Sequence, residues 1–205
     1  MATVQWDKAL DLITPDIPTC PEAVIKKYFP IVASDFFART HLWRVSMDGQ
    51  NTVIDQAEYD VSSDAIDTVI ESVLWLKVDN KNMTHTDSRL VNHEFLNKKG
   101  QPTHFWVVND TALRLFLIPD QVWAITGEVA VKPSRTARGM PDWVYQTWID
   151  PIVCGVLYRL CKMKDKDWTD PEFAAMNKNI YEQAVTNARI RDLRNVHLQV
   201  RMRSF

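Results

Sequence analysis

The stretch HFWVVNDTALRLFLI, residues 104–118, indicates the fold of the middle of this chain. Two runs rich in aromatic and aliphatic residues flank the turn pair Asn109-Asp110, an arrangement typical of a tight antiparallel hairpin. Between about residues 44 and 133, similar short runs recur at roughly ten-residue spacing and are separated by Gly, Pro, Asn and Asp. We therefore predict an antiparallel sandwich or small barrel for this part of the chain.

Helical periodicity appears on both sides of this β-rich region. Apolar residues recur at spacings of three and four over Val4–Ile13, over Val24–Phe36, from Pro141 to about Met163, and after Thr169-Asp170-Pro171-Glu172, a capping-box pattern. The predicted class is α+β: a helical bundle with an inserted antiparallel sandwich or barrel-like domain and an extended tail. The expected parts are the bundle at 1–44 and 136–194, the β-rich insert at 45–135, and a C-terminal arm at 195–205.

The C-terminal arm has its own pattern. Residues 196–203, VHLQVRMR, alternate apolar and polar side chains, which is the period of a half-buried strand. Because a lone strand is not stable, it has to join a sheet. It could be an edge strand on the chain's own middle sheet or an added strand on another chain. We favour the second, since a helix and a basic stretch separate the arm from the middle sheet.

Composition argues against several function classes. The 205 residues include five glycines, no two closer than twelve positions, so neither GxGxxG nor a P-loop occurs. His85 and His93 do not have the spacing of a zinc site, and the three cysteines form no CxxC. No apolar run reaches the ~20 residues needed to span a bilayer. We therefore expect no catalytic residues, no cofactor, no metal and no membrane partner, and we expect that the protein is not an enzyme.

Charge is distributed unevenly along the chain. The formal net charge is −2, but residues 1–133 carry 18 acidic and 12 basic side chains, while residues 134–205 carry 8 acidic and 12 basic ones. The acidic excess is greatest in 48–79, and the basic excess is greatest in 189–205. Opposite charges at different places along a chain indicate different partners. Clustering on solvated faces by chance remains an equal alternative.

Four groups of motifs, in one order along the chain, resemble a known family. They are Cys20-Pro21 with ASDFFART (33–40) and Trp43; LRLFLIPD (113–120) with VAVKPS (129–134); MPDW (140–143), Trp148 and GVLYRL (155–160); and DWTDP (167–171) with Ala174. Together they resemble the head-to-tail connectors of short-tailed bacteriophages, also called adaptors or tail tubular protein A-like proteins. The chain departs from the family pattern at Val156, where alanine is usual, and in its elaborate 80–100 segment.

The resemblance implies a structural virion protein that forms a ring of twelve subunits. The ring would join the portal protein to the tail nozzle and tail fibre proteins, and viral DNA would pass through it during ejection. The location implied is the portal vertex of the virion, with assembly in the host cytoplasm. Two alternatives remain: a tail-tube or head-completion protein of another tail type, and a DNA-binding module that uses the basic C-terminus.

The resemblance and the charge pattern together select the candidate residues. Gly155 is expected to let two helices approach closely. Acidic candidates for lining the channel or facing a partner are Asp55, Glu58, Asp60, Asp64 and Asp67. The candidate portal-binding residues are Arg189, Arg191, Arg194, Val196, Leu198, Val200, Arg201, Met202, Arg203 and Phe205.

Overall fold

A computed structural model of the chain describes residues 3–87, 89, 98–109 and 111–202. The chain divides into two compact units: unit 1 comprises Met1–Leu42, Asp67–Val69 and Lys132–Phe205, and unit 2 comprises Trp43–Ile66 and Ile70–Val131. In chain order the elements are β1 (Thr3–Gln5), α1 (Asp7–Leu10), α2 (Glu22–Thr40), β2 (Arg44–Ser46), β3 (Gln50–Asn51), β4 (Glu58–Asp60), β5 (Thr68–Val78), β6 (Lys81–Asn82), β7 (Thr84–His85), β8 (His104–Asn109), β9 (Ala112–Phe116), β10 (Ala124–Pro133), β11 (Gly139–Pro141), α3 (Asp142–Cys161) and α4 (Pro171–Met202).

Unit 1 combines three long helices with a short sheet. Helices α2, α3 and α4 pack together, and β1 pairs antiparallel with β11. A Cβ on Gly139 would lie 2.3 Å from the carbonyl oxygen of Val4, so this pairing requires a glycine. The Trp6 ring stacks on Phe29, with 5.5 Å between ring centroids, and the indole N–H of Trp6 donates to the Ala137 carbonyl at 2.8 Å. These contacts join the N-terminal segment to the helices.

Unit 2 is built on two sheets. One has the strand order β2-β10-β5-β6, with β3 also paired to β10, and the other has the order β4-β9-β8-β7. The predicted hairpin is confirmed: β8 and β9 are antiparallel, with His104 opposite Phe116 and Asn109 opposite Ala112. Strands β7 and β8 are parallel, with Thr84 opposite His104, so the second sheet is mixed.

The predicted class, a helical bundle with an inserted antiparallel sandwich, is wrong. The protein is mixed α/β, with about 36% helix and 29% strand, and its described residues form four helices and three sheets. The error at the N-terminus has a physical reason. Over 4–13 the spacing of apolar residues favours a helix, but strand pairing with β11, more than 130 residues away, wins at the start of the segment. Thr3–Gln5 therefore forms β1, and the helix that follows is shortened to Asp7–Leu10.

The predicted extended C-terminal tail is also wrong as far as Met202, because α4 continues as a helix to that residue. Strand-like alternation is a weak signal in a segment rich in Arg, Leu, Gln and Met, which are good helix formers. Adding a residue to an existing helix is much easier than nucleating a new element, and α4 already has a firm start at Pro171. Arg203 and Phe205 lie outside the described residues.

One prediction concerns the close helix packing in unit 1. A Cβ on Gly155 would lie 2.5 Å from Cγ1 of Val32 in α2 and 2.8 Å from Cδ2 of Tyr181 in α4. Gly155→Ala adds helix propensity of about 1 kcal/mol, but overpacking costs about 1–3 kcal/mol. We expect a net loss in the free energy of unfolding, measured by urea denaturation.

Two further variants test this packing explanation. Gly49→Ala is the matched control, because nothing lies within 4 Å of a Cβ at that position. Gly155→Ala should cost less in a Val32→Ala background, where the closest methyl group is gone, and the two changes should therefore be non-additive. Equal costs in both backgrounds would contradict the contact seen between α2 and α3.

Candidate functional site

Helix α4 is firmly anchored over its first half. Its start is capped by Asp170, whose Oδ1 accepts a hydrogen bond from the backbone N–H of Phe173 at 2.9 Å. Asp170 thus performs the capping that the sequence pattern assigned to Thr169. Five residues spaced by three or four are buried along one face of α4: Ala174, Asn177, Tyr181, Val185 and Ala188. The buried face therefore extends to within three residues of Arg191, the last residue of α4 whose side chain is described.

A cluster of polar side chains joins α4 to α2. The Tyr181 hydroxyl donates to Oδ2 of Asp35 at 2.7 Å, and Arg39 donates through two nitrogens to the two carboxylate oxygens of Glu182, with Nη1 3.0 Å from Oε1. Arg39 Nη1 also lies 3.6 Å from Asp35, and Arg159 of α3 lies 3.9 Å from Asp35. Each carboxylate of the cluster therefore faces an arginine.

The electrostatics of this cluster favour the protonation states that hold it together. Burial, with the hydrogen bond to Asp35, raises the pKa of Tyr181, so its hydroxyl stays protonated and keeps donating. The hydrogen bonds from Arg39 lower the pKa of Glu182. Because the carboxylates and arginines of the cluster pair with one another, the cluster stabilises the packing of α2 against α4.

The basic candidate residues from Arg189 to Arg201 belong to α4, so the structure does not align them as a strand. Arg189 is exposed, and the exposed Arg191 guanidinium lies 5.9 Å from the centre of the Trp148 ring in α3. The other candidates are on helical backbone, at Arg194, Val196, Leu198, Val200, Arg201 and Met202. At 100° per residue, positions 196 and 200 lie on one side of the helix and 198 and 202 on the opposite side. Positions that would share one face of a strand are therefore divided between two sides of this helix.

The acidic candidates are divided between the two units. Asp55, Glu58, Asp60 and Asp64 belong to unit 2, whereas Asp67 belongs to unit 1. Asp55 forms an ion pair with Lys99 at 2.6 Å, and Glu58 lies 3.4 Å from Arg114. Asp60 and Asp64 are exposed. Two of the five carboxylates therefore already have a basic neighbour.

The structure also displays a surface that the sequence did not reveal, formed where residues 52–56 meet 119–123. Val53, Ile54 and Val122 are exposed there by 52%, 55% and 62%. The sequence pattern predicts short strands between about residues 44 and 133, and it gives no sign that Val53 and Ile54 would be exposed. We call this surface the apolar tip, defined by Val53, Ile54 and Val122.

Hydrogen bonds hold the apolar tip in place. The Thr52 backbone N–H donates to the Trp123 carbonyl at 2.8 Å, and the Trp123 backbone N–H donates to the Thr52 hydroxyl at 2.7 Å. The hydroxyl of buried Tyr59 donates to the Gln56 carbonyl at 2.8 Å and accepts from the Val53 backbone N–H at 3.0 Å. Asp55 N–H donates to the Pro119 carbonyl at 2.9 Å. The aliphatic side chains are thus presented by a fixed backbone.

The remaining reactive groups form no centre in the part of the chain that the structure describes. No group of three or more His, Cys, Asp or Glu residues there could hold a metal ion. Cys20, Cys154 and Cys161 are free thiols, and burial raises the pKa of each, that of Cys161 to about 11. Among the same residues, no helix combines the length and the apolar character that crossing a membrane requires.

No protein-family model and no curated protein sequence matches this chain. The likeness to the phage adaptors therefore depends on the ordered motifs alone.

A prediction follows from the lowered pKa of Glu182. Because its folded-state pKa is below its unfolded value, the Arg39 pair stabilises the fold above the unfolded pKa, and this contribution is lost as pH falls through the folded pKa. Glu182→Gln should lower the free energy of unfolding at neutral pH by about 0.2–1 kcal/mol, the range for partly exposed pairs. The difference from wild type should shrink in acid, measured by urea denaturation across a pH series. With the exposed Asp11→Asn as control, a Glu182→Gln difference that does not change with pH would contradict this role.

Proposed function

We propose that this chain is a structural protein of a virion, the subunit of an adaptor ring that joins the portal to the tail nozzle and fibres. The observation that carries the proposal is α4: a 32-residue helix, buried along one face as far as Ala188, that then carries four arginines by residue 201. The ordered motifs of the adaptor family add support. The ring of twelve subunits is part of the proposal and comes from the resemblance.

A basic helix on a rigid base suits attachment to another protein. Anchoring of the first half by Tyr181 and Gly155 reduces the freedom that would be lost when the second half binds. The candidates beyond residue 191 would then meet an acidic surface on the portal, where charge complementarity favours encounter and correct register. We propose that portal attachment uses positions 194–202 as a helix, in place of the added strand expected from the alternation.

The proposed role is mechanical and requires no chemical step. The most strongly coupled polar groups, Tyr181, Asp35, Arg39 and Glu182, bind one another and stabilise the packing of α2 and α4. They therefore supply the stiffness that a connector under mechanical load needs.

Replacing Arg194 and Arg201 together with Gln should weaken attachment to the portal while the subunit stays folded. Each charge-assisted contact at an interface contributes on the order of 2 kcal/mol or more when buried, so loss of both should reduce affinity at least tenfold. The measurement is co-elution with the portal protein of the same virus on a sizing column. Lys164→Gln with Lys166→Gln is the matched control, since both lysines are exposed and precede α4.

Co-elution with portal and affinity for DNA together separate the alternatives. A wild-type chain that never co-elutes with portal rings would overturn the adaptor proposal. A steep, salt-dependent affinity for duplex DNA that disappears in the Arg194/Arg201 variant would favour the DNA-binding module.

We further propose that exposed carboxylates of unit 2 face the DNA path. Twelve copies of Asp60 and Asp64 would repel phosphates and reduce adhesion of DNA during ejection. Asp60→Asn with Asp64→Asn should therefore slow ejection from assembled particles, measured by release of DNA on triggering. Asp165→Asn with Asp167→Asn, both exposed, is the charge-matched control. An unchanged rate in the Asp60/Asp64 variant would contradict this part of the proposal.

A further inference from the structure

The apolar tip has the properties of a preformed contact surface. Scattered exposed aliphatic side chains are ordinary on a protein surface. Here Val53 and Val122 instead come from two segments that hydrogen bonds hold side by side, since the pairing of Asn51 with Ala124 continues through Thr52 and Trp123. A loop that is already ordered loses little entropy when it binds.

Charge indicates what kind of surface the apolar tip fits. Unit 2 contains 12 acidic and 7 basic residues, a net charge of −5, and the exposed Asp120 flanks the tip. An anionic lipid surface or a nucleic acid would be repelled by this charge. Unit 1 contains 14 acidic and 17 basic residues, a net charge of +3. The complementary partner present in this sequence is therefore unit 1 of a second copy.

Helix α4 provides a matching surface within unit 1. A depression of about 480 Å³ is lined by Glu182, Gln183, Thr186 and Asn187. Ile180 and Ile190, exposed by 44% and 43%, lie on either side of these positions along the helix. Arg191 is four residues beyond Asn187 and lies on the same side of the helix as Ile180, Gln183 and Ile190. We call this surface the α4 groove, defined by Ile180, Gln183, Asn187, Ile190 and Arg191.

We propose that the apolar tip of one copy docks on the α4 groove of the next copy. Val53, Ile54 and Val122 would cover Ile180 and Ile190, while Asp120 would face Arg191. The contact uses different surfaces on the two copies, so it repeats head to tail and closes a ring when the rotation between copies allows it. The inference rests on the proposed ring and names the contact that would hold neighbours together.

The first test removes the apolar side chains. Val53→Ser, Ile54→Ser and Val122→Thr in one chain should weaken self-association at least tenfold, as expected when a cluster of central contacts is lost. Sedimentation velocity from the micromolar to the millimolar range gives the dissociation constant. The control is Val107→Thr with Val108→Thr, two exposed valines of β8 with 43% and 47% exposure. Circular dichroism and thermal melting of every variant establish that it is folded.

The second test uses charge exchange. A tip variant (Asp120→Lys) and a groove variant (Arg191→Glu) should each self-associate at least tenfold more weakly than wild type. An equimolar mixture of the two should recover association, because a positive tip then meets a negative groove. Restoration in the mixture could not arise from misfolding of either variant.

Each outcome has a definite meaning. Loss in the tip and groove variants with recovery in the mixture supports the docking of tip on groove. Unchanged association in the variants, absence of recovery, or a wild-type chain that stays monomeric overturns it. A monomer that still attaches to portal leaves the adaptor function intact without this contact, whereas tip-dependent self-association without portal attachment leaves the contact intact and removes the adaptor function.

Discussion

The close approach of three helices at Gly155 is the constraint on which unit 1 depends. There a hydrogen atom takes the place of a side chain, and the backbone of α3 lies against Val32 of α2 and the Tyr181 ring of α4. Any larger residue would force these neighbours apart, because packed interiors have little room to adjust. The spacing set at this point brings Tyr181 within hydrogen-bonding distance of Asp35, and the next residue, Glu182, forms its ion pair with Arg39.

This packing gives α4 two different halves. The first half is held by burial and by the polar cluster, while the part beyond Ala188 contains the arginines. A firmly held base with a charged continuation is an arrangement suited to attachment. In unit 2 the fixed loop with Val53 and Val122 has a comparable organisation, because buried Thr52 and Tyr59 fix the backbone that carries exposed aliphatic residues. In both places a rigid part of the fold supports the surface that we propose for a partner.

Local patterns were enough to predict much of the secondary structure but less of its arrangement. The hairpin around Asn109, the helix beginning near Pro141 and the start of α4 near Asp170 could each be read from a few neighbouring residues. The pairing of β1 with β11 and the parallel pairing of β7 with β8 could not, because both depend on distant segments. The candidate surfaces also differ in whether nearby residues alone could predict them. The basic segment was visible as charge, whereas the apolar tip requires Val53 and Val122 to meet.

The sequence by itself determined where short strands and long helices alternate, which end of the chain is basic, and that glycine-rich nucleotide loops are absent. These properties depend on the identity and spacing of nearby residues. Only the tertiary structure decided that the last segment continues a helix, that three sheets form in place of a single insert, and that Asp55 and Glu58 have basic neighbours. The reason is that each of these outcomes is a competition between a local preference and contacts whose partners are far away in the chain, and the free energy of those contacts has no local signature.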